Sequence, residues 1–160
     1  MLFRSALLGF LWYDSVPRGV PAPDSEPYTR LVSTFYRGVA SLDTGLLDEA
    51  VTAFTSATQE APGEPAAWAN LGVTHLRASR FDAASAAVDR ALQLAPNDSR
   101  LVAARGAIEL ARGQVDAGID SLRRAVALDA GNTRARFSLA DALQQAGGPA
   151  NDSAAADRKS

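Results

Sequence analysis

The sequence predicts an all-α solenoid of about three and a half helical hairpins, and three sets of recurring positions carry that expectation. Gly38, Gly72 and Gly106 recur at a step of 34 residues, and Ala140 takes the next place. Ala50, Ala84 and Gly118 keep the same step, as do Ala57, Ala91 and Ala125. Pro62 and Pro96 keep it too, with Ala130 in the third place. A fixed period of this length marks stacked helix pairs, each burying its apolar face against its neighbours. Such a stack presents a surface for binding rather than a pocket for chemistry.

Residues 1–30 stand outside the period. Leu2 to Tyr13 is mostly apolar, but its uninterrupted stretch, Ala6 to Tyr13, is shorter than the ~20 residues that span a bilayer. It does fit the core of a secretory signal, with Val20-Pro21-Ala22 as the best cleavage site and Pro23 a poor residue to follow it. Two readings stay open. Residues 1–22 act as a signal for export or membrane attachment, or the protein is cytoplasmic. In the latter case the segment caps the first repeat, or its methionine lies inside a longer protein. Val16 to Pro27, with Pro17, Pro21, Pro23 and Pro27, reads as a linker without a stable helix.

From residue 31 the chain falls into rows 31–64, 65–98 and 99–132, closed by a capping helix over 133–147. The first helices are expected near 29–43, 65–78, 99–112 and 133–146, and the second near 47–60, 82–94 and 116–128. Gly45, Gly113 and Gly147 fall where first helices must stop, with Ser79 in that place in the second row. Glycine accepts the left-handed backbone that ends a helix. Asp48, Glu49, Asp82 and Asp116 open the second helices, where negative charge suits the macrodipole. Pro62 and Pro96 prevent the second helices from continuing. The small residues let two helices approach to ~8 Å, with Leu71, Leu139, Phe54, Val88 and Leu122 filling the rest of the contacts. Residues 148–160 are small and polar and are expected to be disordered.

These columns resemble the tetratricopeptide repeat family. The second row carries the resemblance best, with Trp68, Leu71, Gly72, His75, Ala84, Val88, Ala91 and Pro96. The first row matches at Gly38, Ala50, Phe54, Ala57 and Pro62, and the third at Gly106, Ala125 and, more loosely, Gly118 and Leu122. The resemblance implies a right-handed superhelix whose first helices line a concave groove for a peptide or a partner helix. It places Phe35, Val39, Asn70, Val73, Arg77, Arg100, Ala107, Arg134 and Phe137 in that groove. Such a surface suits a protein partner with apolar side chains and one or two acidic groups. One subclass of the family clamps the carboxyl terminus of chaperones. Asn70 and Arg100 match that clamp, while Phe35, Val39 and Ala104 stand where it needs basic or amide residues. Asn70 has a second reading, as a backbone hydrogen-bond partner between neighbouring hairpins.

Arg105 and Glu109 are four residues apart and can pair on one helix face, either as a partly buried ion pair between hairpins or in a ligand-binding role. His75, the single histidine, occupies a large-aromatic slot between helices and reads as packed rather than catalytic. No hydrolase-type serine turn, phosphate-cradling glycine loop or metal-ligand spacing appears, so no catalytic residues, cofactor or metal are expected. The net charge of −2 gives no electrostatic case for nucleic acid. The absence of cysteine excludes disulfides and thiolate sites. The expected function is therefore a non-enzymatic interaction scaffold or adaptor. The alternative is a structural or self-associating block of a larger or exported bacterial assembly, which residues 63–72 resemble loosely. Partner, pathway and oligomeric state are not written in the sequence.

Overall fold

The computed structural model describes residues 21–147; the apolar segment, its cleavage site and the tail 148–160 lie outside the described residues. The described residues form seven α-helices and no strand. They are α1 (Glu26–Asp43), α2 (Leu47–Glu60), α3 (Pro65–Arg77), α4 (Phe81–Leu94), α5 (Ser99–Ala111), α6 (Val115–Leu128) and α7 (Thr133–Ala146). Helices α1 and α2, α3 and α4, and α5 and α6 pair as hairpins, and each second helix also packs on the next first helix. Neighbouring first helices touch as well, α1 with α3, α3 with α5 and α5 with α7. They thus form one continuous wall.

Within each hairpin the turn is chemically the same. Gly45, Ser79 and Gly113 all take positive φ, at 79°, 57° and 77°. Their N–H groups donate to Leu42, Leu76 and Leu110, while the next residues, Leu46, Arg80 and Gln114, donate back to Ser41, His75 and Glu109. This is the paired bonding that satisfies the last carbonyls of a helix. Gly147 differs from expectation. Its φ is −94°, a conformation open to any residue, so α7 does not end through a left-handed glycine.

Between hairpins a second column does the capping. The side chains of Glu64, Asp98 and Asn132 accept from the backbone N–H of Ala66, Arg100 and Ala135. Each fills one of the orphan donors at a first-helix start. At the amino end, α1 begins at Glu26, inside the stretch expected to be linker. Ser25 caps it by accepting from Tyr28 N–H, and a proline in the first turn sits where no intrahelical donor is needed.

The core is built from the small-residue columns. A Cβ added to Gly72 would lie 2.6 Å from Val88 Cγ2 and 3.2 Å from the Ala84 carbonyl. One on Gly106 would lie 2.9 Å from Leu122, and one on Gly38 2.9 Å from the Phe54 ring. Phe54, Val88 and Leu122 are fully buried against these glycines, so each hairpin closes on one large side chain seated over a gap in its partner. Along the loop edge, Arg80 pairs with Asp48 at 2.6 Å and Arg112 with Asp82 at 3.0 Å. Each pair links one hairpin to the next.

The expected pairing of Arg105 with Glu109 does not form. Arg105 instead donates to Asp89 on α4, and Glu109 accepts from the Ser121 hydroxyl on α6 at 2.6 Å. Four-residue spacing put them on one face of α5, but their long side chains reach to different neighbouring helices.

Candidate functional site: a cleft along the first helices

The wall of first helices curves around a cleft of about 600 Å³. Ala69, Val73 and Leu76 of α3 and Leu101, Ala104 and Ala107 of α5 form its apolar floor. Asn70, Arg100, Arg134 and Ser138 stand around it, with the capping residues Glu64, Asp98 and Asn132 at one end. The period positions this lining, because each hairpin turns the same helix face inward.

The cap column also fixes the far wall. Asn132 Nδ2 donates to Ser99 Oγ at 2.7 Å, and that buried hydroxyl donates to the Ala125 carbonyl at 3.0 Å. One polar chain thus joins the start of α5, the end of α6 and the start of α7. Sequence reading missed Glu64, Asp98 and Asn132 as lining residues. Their signal was present, as an acid or amide repeating at a step of 34 just before each helix.

The charged groups are not equivalent. Arg100 gives Asp98 hydrogen bonds from Nε at 3.1 Å and from NH2 at 2.7 Å. That bonding holds the Asp98 carboxyl below the usual carboxylate range and raises the arginine further. Arg100 is therefore a compensated charge. Arg134 is exposed, and no hydrogen bond or ion pair holds it among the described residues. It supplies the uncompensated positive charge at the α7 end of the cleft.

Of the nine residues expected in the groove, Asn70, Val73, Arg100, Ala107 and Arg134 lie together in the cleft. Asn70 Nδ2 donates to the Ala66 carbonyl one turn back in its own helix, at 2.9 Å, so it bonds within α3 rather than between hairpins. The other four stand elsewhere. Phe35 packs edge-on against Phe54 with ring centres 5.6 Å apart, and Val39 joins it on the core cluster of the first hairpin. Arg77 turns away and donates to the Leu42 carbonyl at 2.8 Å. Phe137 points outward from α7, 75% exposed, and is not part of the cleft lining. His75 is also outside the cleft; its Nδ1 is buried without a hydrogen-bond partner.

Residues 41–108 match the family model for the tetratricopeptide repeat. A search of curated proteins gives no match. Among solved structures, the first TPR of Spaghetti (RPAP3) bound to the HSP90 peptide SRMEEVD superposes with a TM-score of 0.69 at 19% identity, over 82% of this chain and 99% of that one. The TPR2B domain of yeast Sti1 in its pHsp70 complex gives 0.67 at 19% identity, over 73% and 98%. An O-GlcNAc transferase of Thermobaculum terrenum gives 0.70 at 25% identity, over 75% of this chain but 23% of that one. The first two likenesses establish the fold, a superhelix of helical hairpins.

Proposed function

Starting from a chain that is a tetratricopeptide repeat protein, we propose that it is a non-enzymatic interaction scaffold that binds a peptide or helix of a partner protein along the cleft. The observation that carries this is the composition of the lining. Its floor is alanine, valine and leucine from two first helices, α3 and α5, and the guanidinium of Arg134, without a partner among the described residues, closes an end. Small floor residues let a backbone approach, apolar side chains lose water there, and an acidic group reaching Arg134 fixes direction. The neighbour bound to the HSP90 peptide SRMEEVD favours a ligand of this size. The chaperone-tail form is not favoured, because Arg100 is compensated by Asp98 and Phe35 and Val39 are packed on the first hairpin's core.

Selection from a random peptide library, followed by fluorescence anisotropy, tests the reading. Selected peptides are expected to carry apolar residues beside an acidic one. They should bind at about micromolar Kd, some 8 kcal/mol, and lose at least tenfold on Ala104→Glu, which places a charge in the floor. No selected peptide, or peptides indifferent to Ala104→Glu in a folded variant, would remove the cleft as the binding surface.

A further inference from the structure

Two of the columns that line the cleft continue onto α1. Asn70, Ala104 and Ser138 recur at a step of 34 residues, and all of them line the cleft. One step earlier, on α1, that column holds Tyr36. Four residues before Tyr36, on the same helix face, Val32 heads the column of Ala66, Arg100 and Arg134, which also line the cleft. Helix α1 touches α3 as α3 touches α5 and α5 touches α7, so Tyr36 stands one helix beyond Asn70 on the same wall. It is 67% exposed, while Phe35 and Val39, near it on α1, pack into the core of the first hairpin. The Phe35 ring meets the Tyr36 ring edge-on, with centres 6.1 Å apart, and so props it from the core side.

We propose, on the reading of the cleft as a peptide site, that Tyr36 is a second anchor of that site. The occupant is an extended segment of a partner protein with a bulky apolar side chain towards one end and a carboxylate towards the other. The apolar side chain lies on the Tyr36 ring, and the carboxylate reaches Arg134 at the α7 end. A tyrosine suits this place, because its ring offers a large rigid area at low entropic cost while its hydroxyl stays in water. Aromatic residues and arginine are also the types that carry most of an interface's binding energy. Between the two anchors the floor is alanine, valine and leucine, over which a backbone can lie close.

The distance between the anchors sets the length of the segment. From α1 through α3 and α5 to α7 there are three steps between neighbouring first helices. Each step is ~8–10 Å, which makes roughly 24–30 Å in all. An extended chain covers about 3.3 Å per residue, so the apolar residue and the acid are about seven to nine residues apart. A helix would need about sixteen to twenty residues for the same reach. At ~10–12 Å across, it would be several times larger than a cleft of about 600 Å³. The extended form is therefore the one that fits.

Selection from a library of random peptides of about twelve residues against the full chain, followed by fluorescence anisotropy, tests this. Selected peptides are expected to pair a bulky apolar residue with Asp or Glu about seven to nine positions away. Tyr36→Ala should weaken them about tenfold, and Tyr36→Phe, which keeps the ring, should hold most of the affinity. Because Tyr36 is exposed, circular dichroism of both variants should match the wild type. Replacing the peptide's apolar residue by alanine should erase the effect of Tyr36→Ala and leave that of Arg134→Ala intact. Peptides that lose affinity on Ala104→Glu but not on Tyr36→Ala would overturn the second anchor and leave the cleft reading standing. Peptides indifferent to both, or no selected peptide, would overturn the two together. A selected spacing of about three or four residues, as on one face of a helix, or no fixed spacing, would overturn the extended segment.

Discussion

The Arg77 guanidinium donates to the Leu42 carbonyl at 2.8 Å, across 35 residues of chain. Leu42 lies in the last turn of α1, the negative end of the helix, and its carbonyl accepts from the guanidinium as well as from Gly45 N–H. An arginine expected to face a ligand is thus tied to a helix end. Arg77→Ala should cost about 1 kcal/mol, the lower range for a charged hydrogen bond at an exposed side chain. Peptide affinity should stay unchanged. Urea titration and anisotropy on the same variant check both halves, and a tenfold affinity loss without a stability change would return Arg77 to the binding surface.

Gly72 and Val88 leave no room for a methyl group between them. Gly72→Ala should destabilise by about 1–3 kcal/mol through overpacking, net of a helix-propensity gain of up to about 1 kcal/mol. Val88→Ala should cost about 2–3 kcal/mol as a cavity. The double variant should cost less than the two together, since the new methyl occupies space the valine vacates. Strict additivity in urea unfolding would mean that the hairpin relaxes around the clash instead.

Ser79 holds φ at 57° where the equivalent turns use glycine. Ser79→Gly should stabilise by about 0.5–1 kcal/mol, and Gly113→Ala should destabilise by a similar amount. Thermal melts of the two variants moving in the same direction would contradict the shared turn geometry.

Burial, then the charge of Arg80, lowers the His75 pKa below its ordinary value of 6.5. The unfolded chain therefore binds a proton more readily than the folded one, so acid favours unfolding. Stability should rise with pH through the window from the lowered folded value up to about 6.5 and level off above it. His75→Phe should flatten that window. Asp98, whose pKa is also lowered in the fold, works in the same direction at lower pH. Its contribution is present above its unfolded pKa of 3.8 and is lost at lower pH, separate from the histidine window. Melting temperatures of both proteins between pH 4.5 and 8 decide this; parallel profiles would acquit His75.

The helices were legible because their stops are chemical. Gly45, Gly113, Pro62 and Pro96 act through their own backbone preferences and need no tertiary context. The close packing of Gly72 on Val88 was legible for a related reason, since a column of small residues has few other uses. Side-chain destinations were less so. Arg105 and Glu109 share a face, but which neighbour each reaches depends on the stagger between hairpins, which no single hairpin encodes. Phe137 falls in the column of Phe35, Ala69 and Ala103, yet it stands exposed and outside the cleft lining, a difference its periodic position does not encode. Arg77 looked available because its periodic position carries no sign of the Leu42 carbonyl it reaches, one hairpin away.

The ties across hairpins each span about one repeat: Arg77 to Leu42 over 35 residues, Asn132 to Ser99 over 33, Arg80 to Asp48 over 32. Each joint is fastened only to the next, as in a leaf spring. The mouth of the cleft is then set by the sum of small angles at successive joints, and bending is shared along the stack rather than resisted at one place. A tight occupant would draw the arms inward and a bulky one would part them, so elasticity itself becomes part of what the surface selects.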